Sequence, residues 1–388
     1  TAYQAEHEGG FRFMIEEYRM KQERLQVRLR ELGADGALLT SNVNLFYFAG
    51  RIVNGYLYIP AEGDAVLFVR APLGIEEEGI IYFTNPKKLP DVMAEHGFSL
   101  PKRLMLEDGD ITANEYLRLQ IIFGGCEIVG GSQIIRELRS VKTSREVELF
   151  RKTAQVHAQA YQKISEIYCK GMTDRELACA IEYELRKLGH LGLFRTYGYR
   201  MEAFMGSVLA GDNANEPSPF DFALGGAGES PSLPVSACGK PLENGTTVMV
   251  DLSNNLYGYI TDMSRTFAIG ELPDEAYRAH EVSLKIQEKI ARAGKAGAVC
   301  SELYALALYI AQESGLGDCF MGQKQQAKFV GHGIGIEINE LPVLAPRMST
   351  VLEKNMVIAL EPKFIIEGVG AVGTENSYLV TDSGLEKI

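Results

Sequence analysis

The spacing of apolar side chains changes several times along the chain. Residues 15–33 (IEEYRMKQERLQVRLRELG) place them at helical spacing and end on Gly33, which predicts an amphipathic helix. Short β-rich runs follow: DGALLTS, LFYFAG, GYLYIP and AVLFVR. Strand and helix signals alternate to about residue 135. This predicts an N-terminal α/β domain over 1–136.

RELRSVKT reads as a boundary, with a second domain over 137–388. Thr143 and Glu146 have the spacing of a capping box and predict a helix over 144–169. Thr173 and Glu176 repeat the device, predicting a helix to Leu188 with Gly189 as its stop. Residues 206–246 are rich in Gly, Pro, Ser and Asn and read as loops and short strands. A hairpin over 246–269, helices over 273–294 and 299–314, and mostly strands complete the chain. Helices outside a strongly curved antiparallel sheet would make this region α+β. No internal repeat is visible.

Composition excludes some classes of function. The chain has 388 residues and a formal net charge of −12. An acidic protein lacks the basic surface that phosphate backbones require, so nucleic acid is not its expected partner. No apolar run approaches the roughly 18 residues of a membrane span. The opening TAYQAEHEGG shows no basic-then-apolar leader, and the six cysteines are far apart with no CxxC pair. Reduced thiols and a cytoplasmic location are expected.

The richest stretch is VMVDLSNNLYGYITDMSRTFAIG. Asp251 and Asp262 lie 11 residues apart, with their midpoint between Leu256 and Tyr257. A hairpin centred there would put the two carboxylates opposite one another on one face. Glu361 and Glu375 repeat the arrangement, with their midpoint at Gly368 in the turn-like EGVG. Like charges across a ladder are destabilising, and an isolated buried carboxylate is costly. Two such pairs imply cations. Between them stands His332, with Gly on either side to let the backbone approach a ligand. Four carboxylates and one imidazole suit two divalent ions such as Mn, Co, Zn or Fe. Two ions about 3.5–4 Å apart would acidify a shared water and polarise a carbonyl. Singly, each residue has a plain alternative: Asp near a turn, His in a loop, Glu at a strand end. Together they form a pattern.

That pattern resembles a known family. The series Asp251, Asp262, His332, Glu361, Glu375 is similar to the five-ligand set of the pita-bread metallopeptidases, which include methionine aminopeptidase, aminopeptidase P and prolidase. The steps of 11, 70, 29 and 14 residues most resemble prolidases, as do the words DLSNNLYGYITDMSRTF, GHGIGIE, ALEP and GTENSYLVT. RMKQERLQVRLRELGADGALLTSNVNLFYFAG resembles the creatinase-type N-terminal domain. The resemblance implies an N-terminal creatinase-type α/β domain before a C-terminal pita-bread domain. It implies Asp262, His332, Glu361 and Glu375 around one metal, and Asp251, Asp262 and Glu375 around the other. It assigns Glu361 to handling the proton of the attacking water, beside His332. It also implies a homodimer in which the N-terminal domain caps the partner's site.

The likeness has gaps. Proline-specific members carry a second His seven residues after the first; here that position is Asn339, the candidate substrate contact. Another family His falls near Pro234. Gly373 stands where an Arg is frequent, and Asn376 where an Asp commonly follows the last Glu. Asn339 can donate a hydrogen bond but cannot shuttle a proton near neutral pH. Three readings therefore stay open. The first is a peptidase of the Xaa-Pro dipeptidase or aminopeptidase type, acting on a peptide or small amide with altered surroundings. The second is a non-peptidase, creatinase-like C–N hydrolase. The third is a metal-stabilised binding protein without turnover.

Overall fold

The structure, a computed structural model, describes residues 7–199, 201, 202 and 204–388. The first six residues, part of the segment read for a leader, lie outside them. The chain divides into two compact units, one up to Arg139 and one from Ser140 onward.

The first unit is built on a six-stranded mixed sheet. Its strands are β1 (Gly36–Leu39), β2 (Asn54–Pro60), β3 (Val66–Ala71), β4 (Ile80–Tyr82), β5 (Arg103–Leu106) and β6 (Glu127–Gly130). They run in the order β4-β3-β2-β1-β5-β6. Helix α1 (His7–Leu32) ends at Gly33, which takes a φ of 67° that glycine adopts without strain. Helices α2 (Asn42–Ala49), α3 (Leu89–Glu95), α4 (Ala113–Ile122) and α5 (Ser132–Ser140) complete the unit. Leu38, Tyr56, Phe68, Phe83 and Leu104 share one core.

LFYFAG, expected as a strand, is instead helix α2. Ser41 caps it by accepting from the Asn44 N–H, and Gly50 closes it at φ 69°. The run is apolar nearly all round because Leu45, Tyr47 and Phe48 are all buried. Periodicity cannot tell such a run from a buried strand. The caps carried the missing information.

The second unit is α+β. Helix α6 (Ser144–Gln162) opens on the Thr143–Glu146 capping box and α8 (Asp174–Lys187) on the Thr173–Glu176 one. The first helix is shorter than expected. It stops at Gln162, and a separate turn, α7 (Ile164–Ile167), follows. These helices pack on a three-stranded sheet of β7 (Gly206–Ala210), β8 (Thr246–Leu256) and β9 (Tyr259–Ile269). Ile181, Leu185, Val248 and Val250 fill that core. Tyr161 anchors it. Its buried hydroxyl accepts from the Leu252 N–H and donates to the Met263 carbonyl.

Helices α9 (Asp274–Ala293) and α10 (Cys300–Glu313) cover the remaining strands. These are β10 (Gly331–Gly333), β11 (Glu340–Leu344), β12 (Val357–Leu360), β13 (Lys363–Ile366), β14 (Gly370–Gly373), β15 (Asn376–Val380) and β16 (Leu385–Lys387). Ile286, Ile290, Ala307, Ile358 and Phe364 share that core. The order helix, helix, long hairpin thus occurs twice, although no repeat shows in the residues.

Candidate metal centre

Strands β8 and β9 are joined by Tyr257 and Gly258, both at positive φ, with no further residues between Leu256 and Tyr259. The turn is centred one residue later than expected. Asp251 therefore faces Ser264 and Asp262 faces Ser253, so the two aspartates are diagonal rather than opposite. A one-residue shift of the centre moves the pairing by two, an even number. Both carboxylates stay on one face.

The second hairpin follows its expected register. Lys363 pairs with Gly373 and Leu360 with Asn376. The same register sets Glu361 against Glu375, in a gap between the two ladders. Their backbones bond elsewhere: the Glu361 N–H to the Val330 carbonyl at 2.9 Å, and the Glu375 N–H to the Ser264 carbonyl at 3.1 Å. The second contact, with Ser377 bonding the Asp262 backbone, joins the two hairpins.

His332 lies on β10, between β11 and β12. Its flanking glycines serve the sheet rather than a ligand. A Cβ at Gly331 would come 2.5 Å from the Ala359 carbonyl oxygen, and one at Gly333 would come 2.0 Å from that of Leu341.

These strands bring all five predicted side chains together. His332 Nε2 lies 3.4 Å from Glu361 Oε1 and 3.8 Å from Asp262 Oδ2. Its Nδ1 meets the Gly333 carbonyl at 3.0 Å, which leaves Nε2 facing the carboxylates. Ligand atoms of Asp262, His332 and Glu375 lie within 4.8 Å of one another, as do those of Asp251, Glu361 and Glu375.

A sixth residue was missed. Lys363, fully buried, places Nζ 2.6 Å from Glu361 Oε2, 2.8 Å from Asp251 Oδ2 and 3.1 Å from Glu375 Oε2. The sequence carried a signal. Lys363 lies two residues after Glu361, hence on the same strand face, in the otherwise apolar run KFII.

The electrostatics are those of crowded carboxylates. Burial, then the charge of Asp251, pushes Asp262 up to about 7. Burial, then Asp262 and Glu361, holds Glu375 well above the usual carboxylate range. Burial would raise Glu361 too, but Lys363 and His332 outweigh it and bring it down to about 2. Burial opposes protonation of His332, yet the hydrogen bond and charge of Glu361, with Asp262, take it up to about 9. Burial likewise opposes the Lys363 charge, and Asp251, Glu361 and Glu375 overcome it.

A divalent ion fits one half of this cluster. Asp262, His332 and Glu375 converge there with Glu361 alongside, and Glu375 Oε1 is a buried acceptor without a hydrogen-bond partner. Oxygen and imidazole donors suit Mn, Co, Zn or Fe. The other half already holds the Lys363 ammonium.

The cluster lines one end of a cavity walled by Phe194, Phe222, Phe329, Ile338 and Val343. Asn339 also lines it, but its side chain is engaged. Oδ1 accepts from the Tyr197 N–H at 2.6 Å and Nδ2 donates to the Tyr197 carbonyl at 3.0 Å. Glu337 and Glu340 are buried, and Glu340 pairs with Lys142 at 2.8 Å. Arg265 bonds the Glu375 backbone carbonyl and the Asn376 side chain. His157 and His190 are buried.

Comparison with known proteins places this geometry. Residues 148–382 match metallopeptidase family M24, and residues 21–141 match the creatinase/prolidase N-terminal domain. The chain belongs to metallopeptidase family M24. This M24 protein is a hydrolase with a creatinase-type N-terminal domain before a pita-bread domain. It is 26% identical to a Xaa-Pro dipeptidase of Pyrococcus furiosus over 370 residues, 94% of this chain and 96% of that one. The solved Xaa-Pro dipeptidase from Bacillus anthracis superposes with a TM-score of 0.78 at 26% identity, covering 95% of this chain and 97% of that one. The X-Pro aminopeptidase of Thermotoga maritima gives 0.77 at 24%, covering 94% and 96%, and so shares the fold. Membership of an enzyme family sets aside the reading as a binder without turnover.

Proposed function

We propose that this M24 protein hydrolyses the amide bond of a small peptide at a divalent-metal centre held by Asp262, His332, Glu361 and Glu375. One observation carries the reading. His332 Nε2 and the carboxylates of Asp262, Glu361 and Glu375 converge at the end of an apolar-walled cavity. Manganese, cobalt, zinc and iron all match the donors. A bound divalent ion would supply Lewis acidity, lowering the pKa of water and polarising a carbonyl.

The chain's own groups do the rest. Glu361, kept ionised by Lys363 and His332, is the carboxylate that accepts the proton of an attacking water. Gly333 fixes the ring of His332 through Nδ1, so that Nε2 is directed at the cluster. The aromatic wall excludes water and receives an apolar side chain. Asn339, facing the same cavity, orients the substrate with whatever hydrogen-bonding capacity Tyr197 leaves it. The paired-ion expectation meets Lys363 in the Asp251 half.

Proline-containing dipeptides are the first substrates to test, because the Pyrococcus and Bacillus relatives are named Xaa-Pro dipeptidases. A creatinase-like C–N hydrolase is the second reading. It is favoured by Asn339, an amide where the proline-specific pattern has an imidazole. A homodimer is carried over from the resemblance. A cytoplasmic location rests on the six cysteines, all of them free thiols. The test is a panel of Xaa-Pro dipeptides, N-terminal Met peptides and small amidino or amide compounds, with each metal in turn. Chelator-sensitive cleavage of Xaa-Pro is expected. Turnover of small C–N substrates alone selects the second reading. No turnover by the fully loaded protein defeats both.

A further inference from the structure

We propose that the Lys363 ammonium is a built-in cation that takes the place of one of two divalent ions, leaving a centre that binds a single metal at Asp262, His332, Glu361 and Glu375. The inference rests on the metal-dependent reading above and sets its stoichiometry.

The argument is geometric. Asp251, Glu361 and Glu375 form a three-carboxylate niche of the kind a divalent ion would fill. Lys363 Nζ sits inside it, with one oxygen of each carboxylate at 2.8, 2.6 and 3.1 Å. Those are ion-pair distances. A metal bound to the same oxygens at about 2.0–2.2 Å would need the space of the ammonium itself. It would also bring like charges into contact among side chains that are largely buried, where solvent screening is weak.

Nor can Lys363 easily withdraw. Its side chain has no solvent exposure. Its backbone is held on both sides, paired with Gly373 and with its carbonyl accepting from the Met321 N–H at 2.8 Å. The pairing is close: a Cβ at Gly373 would lie 2.9 Å from the Lys363 Cα and 2.4 Å from the Pro362 carbonyl oxygen. Leaving the niche would carry a charge toward the apolar residues on the same face of the hairpin, Ile365 and Ala371, and strand three carboxylates behind it. The Asp262–His332 side is different. Lys363 makes no ion pair with either residue, and Glu375 Oε1 still lacks a partner.

Lys363 is thus assigned a positioning and charge-balancing role. It fixes Glu361 and Glu375 for the remaining ion and neutralises Asp251.

The experiment uses the full chain, stripped of metal and equilibrated with saturating Mn²⁺. Bound metal per chain is measured by elemental analysis, and the spin state by electron paramagnetic resonance. One Mn²⁺ per chain with an isolated six-line spectrum is expected. Lys363→Gly, which removes both the charge and the volume, is expected to bind two ions and give an exchange-coupled spectrum. Two coupled ions in the wild-type protein would overturn the proposal while leaving the metal-dependent reading intact. One ion in both wild type and folded K363G would also overturn it, since Lys363 would not be what excludes the second. No bound ion in the wild type would overturn both readings. If K363G does not fold, the wild-type stoichiometry and spectrum decide alone.

Discussion

Glu361 and Glu375 face one another across a gap where the hairpin between β12 and β15 is not laddered. Each donates its backbone N–H to a different segment, at Val330 just before β10 and at Ser264 on β9. The gap lets two carboxylates from one hairpin turn toward the aspartates of the other. It also leaves the pair dependent on cations: Lys363 on one side and His332, with any bound ion, on the other.

Asp262→Ala and Glu361→Ala are each expected to abolish metal loading and hydrolysis. Each removes a carboxylate that faces His332 Nε2. Elemental analysis and the peptide panel check this together. Full activity in either variant would sink the assignment of the centre.

Asn339→His is expected to raise proline-peptide cleavage by less than about tenfold, although general acid–base groups commonly contribute 10²-fold or more. Asn339 holds the Tyr197 backbone through both amide atoms, and an imidazole cannot make that paired contact. The same loss should destabilise the fold by about 1–3 kcal/mol. The check is kcat/KM on an Xaa-Pro dipeptide beside a denaturant melt. A gain of two orders of magnitude would show that the missing imidazole was the whole shortfall.

His157 should make the protein acid-sensitive. Burial, then the charges of His190 and Arg265, brings its imidazole down to about 3, and it has no solvent exposure. An unfolded His takes up its proton near 6.5. The unfolded chain therefore binds more protons between those values, and stability falls as pH drops below 6.5. The loss from this group is about 2 kcal/mol at pH 5. Denaturant midpoints from pH 7.5 to 5 should show the slope, and His157→Gln should reduce it, leaving the part that His190, brought down to about 4 by burial, contributes. An unchanged slope would place the acid sensitivity elsewhere.

Lys142 and Glu340 form a buried pair, with side-chain exposures of 1% and 4%. Lys142→Met removes the cation and leaves the carboxylate in the interior, where the cost is roughly 3–5 kcal/mol. Lys142→Met with Glu340→Gln should recover most of it. Thermal melts of the two variants decide, and equal losses in both would show that charge burial is not the cause.

Much of the protein was legible in its residues. Capping boxes placed α6 and α8, because a cap is a local hydrogen-bonding pattern written within four residues. The five metal-centre residues were legible because each carboxylate sits in or beside an apolar run where an isolated charge would be costly. Their sharing of one face needed only strand parity. Periodicity misread LFYFAG, since a buried helix and a buried strand are both apolar on every side. Tertiary structure alone decided three things. The hairpin turn took Tyr257 and Gly258 as its central residues, so the two aspartates became diagonal. Asn339 gave its amide to Tyr197, 142 residues away in the chain. And Lys363 turned inward to meet Asp251 and Glu375, which depends on how two hairpins distant in sequence lie against each other. A single sequence states which side chains carry charge; only packing determines which opposite charges share a desolvated space.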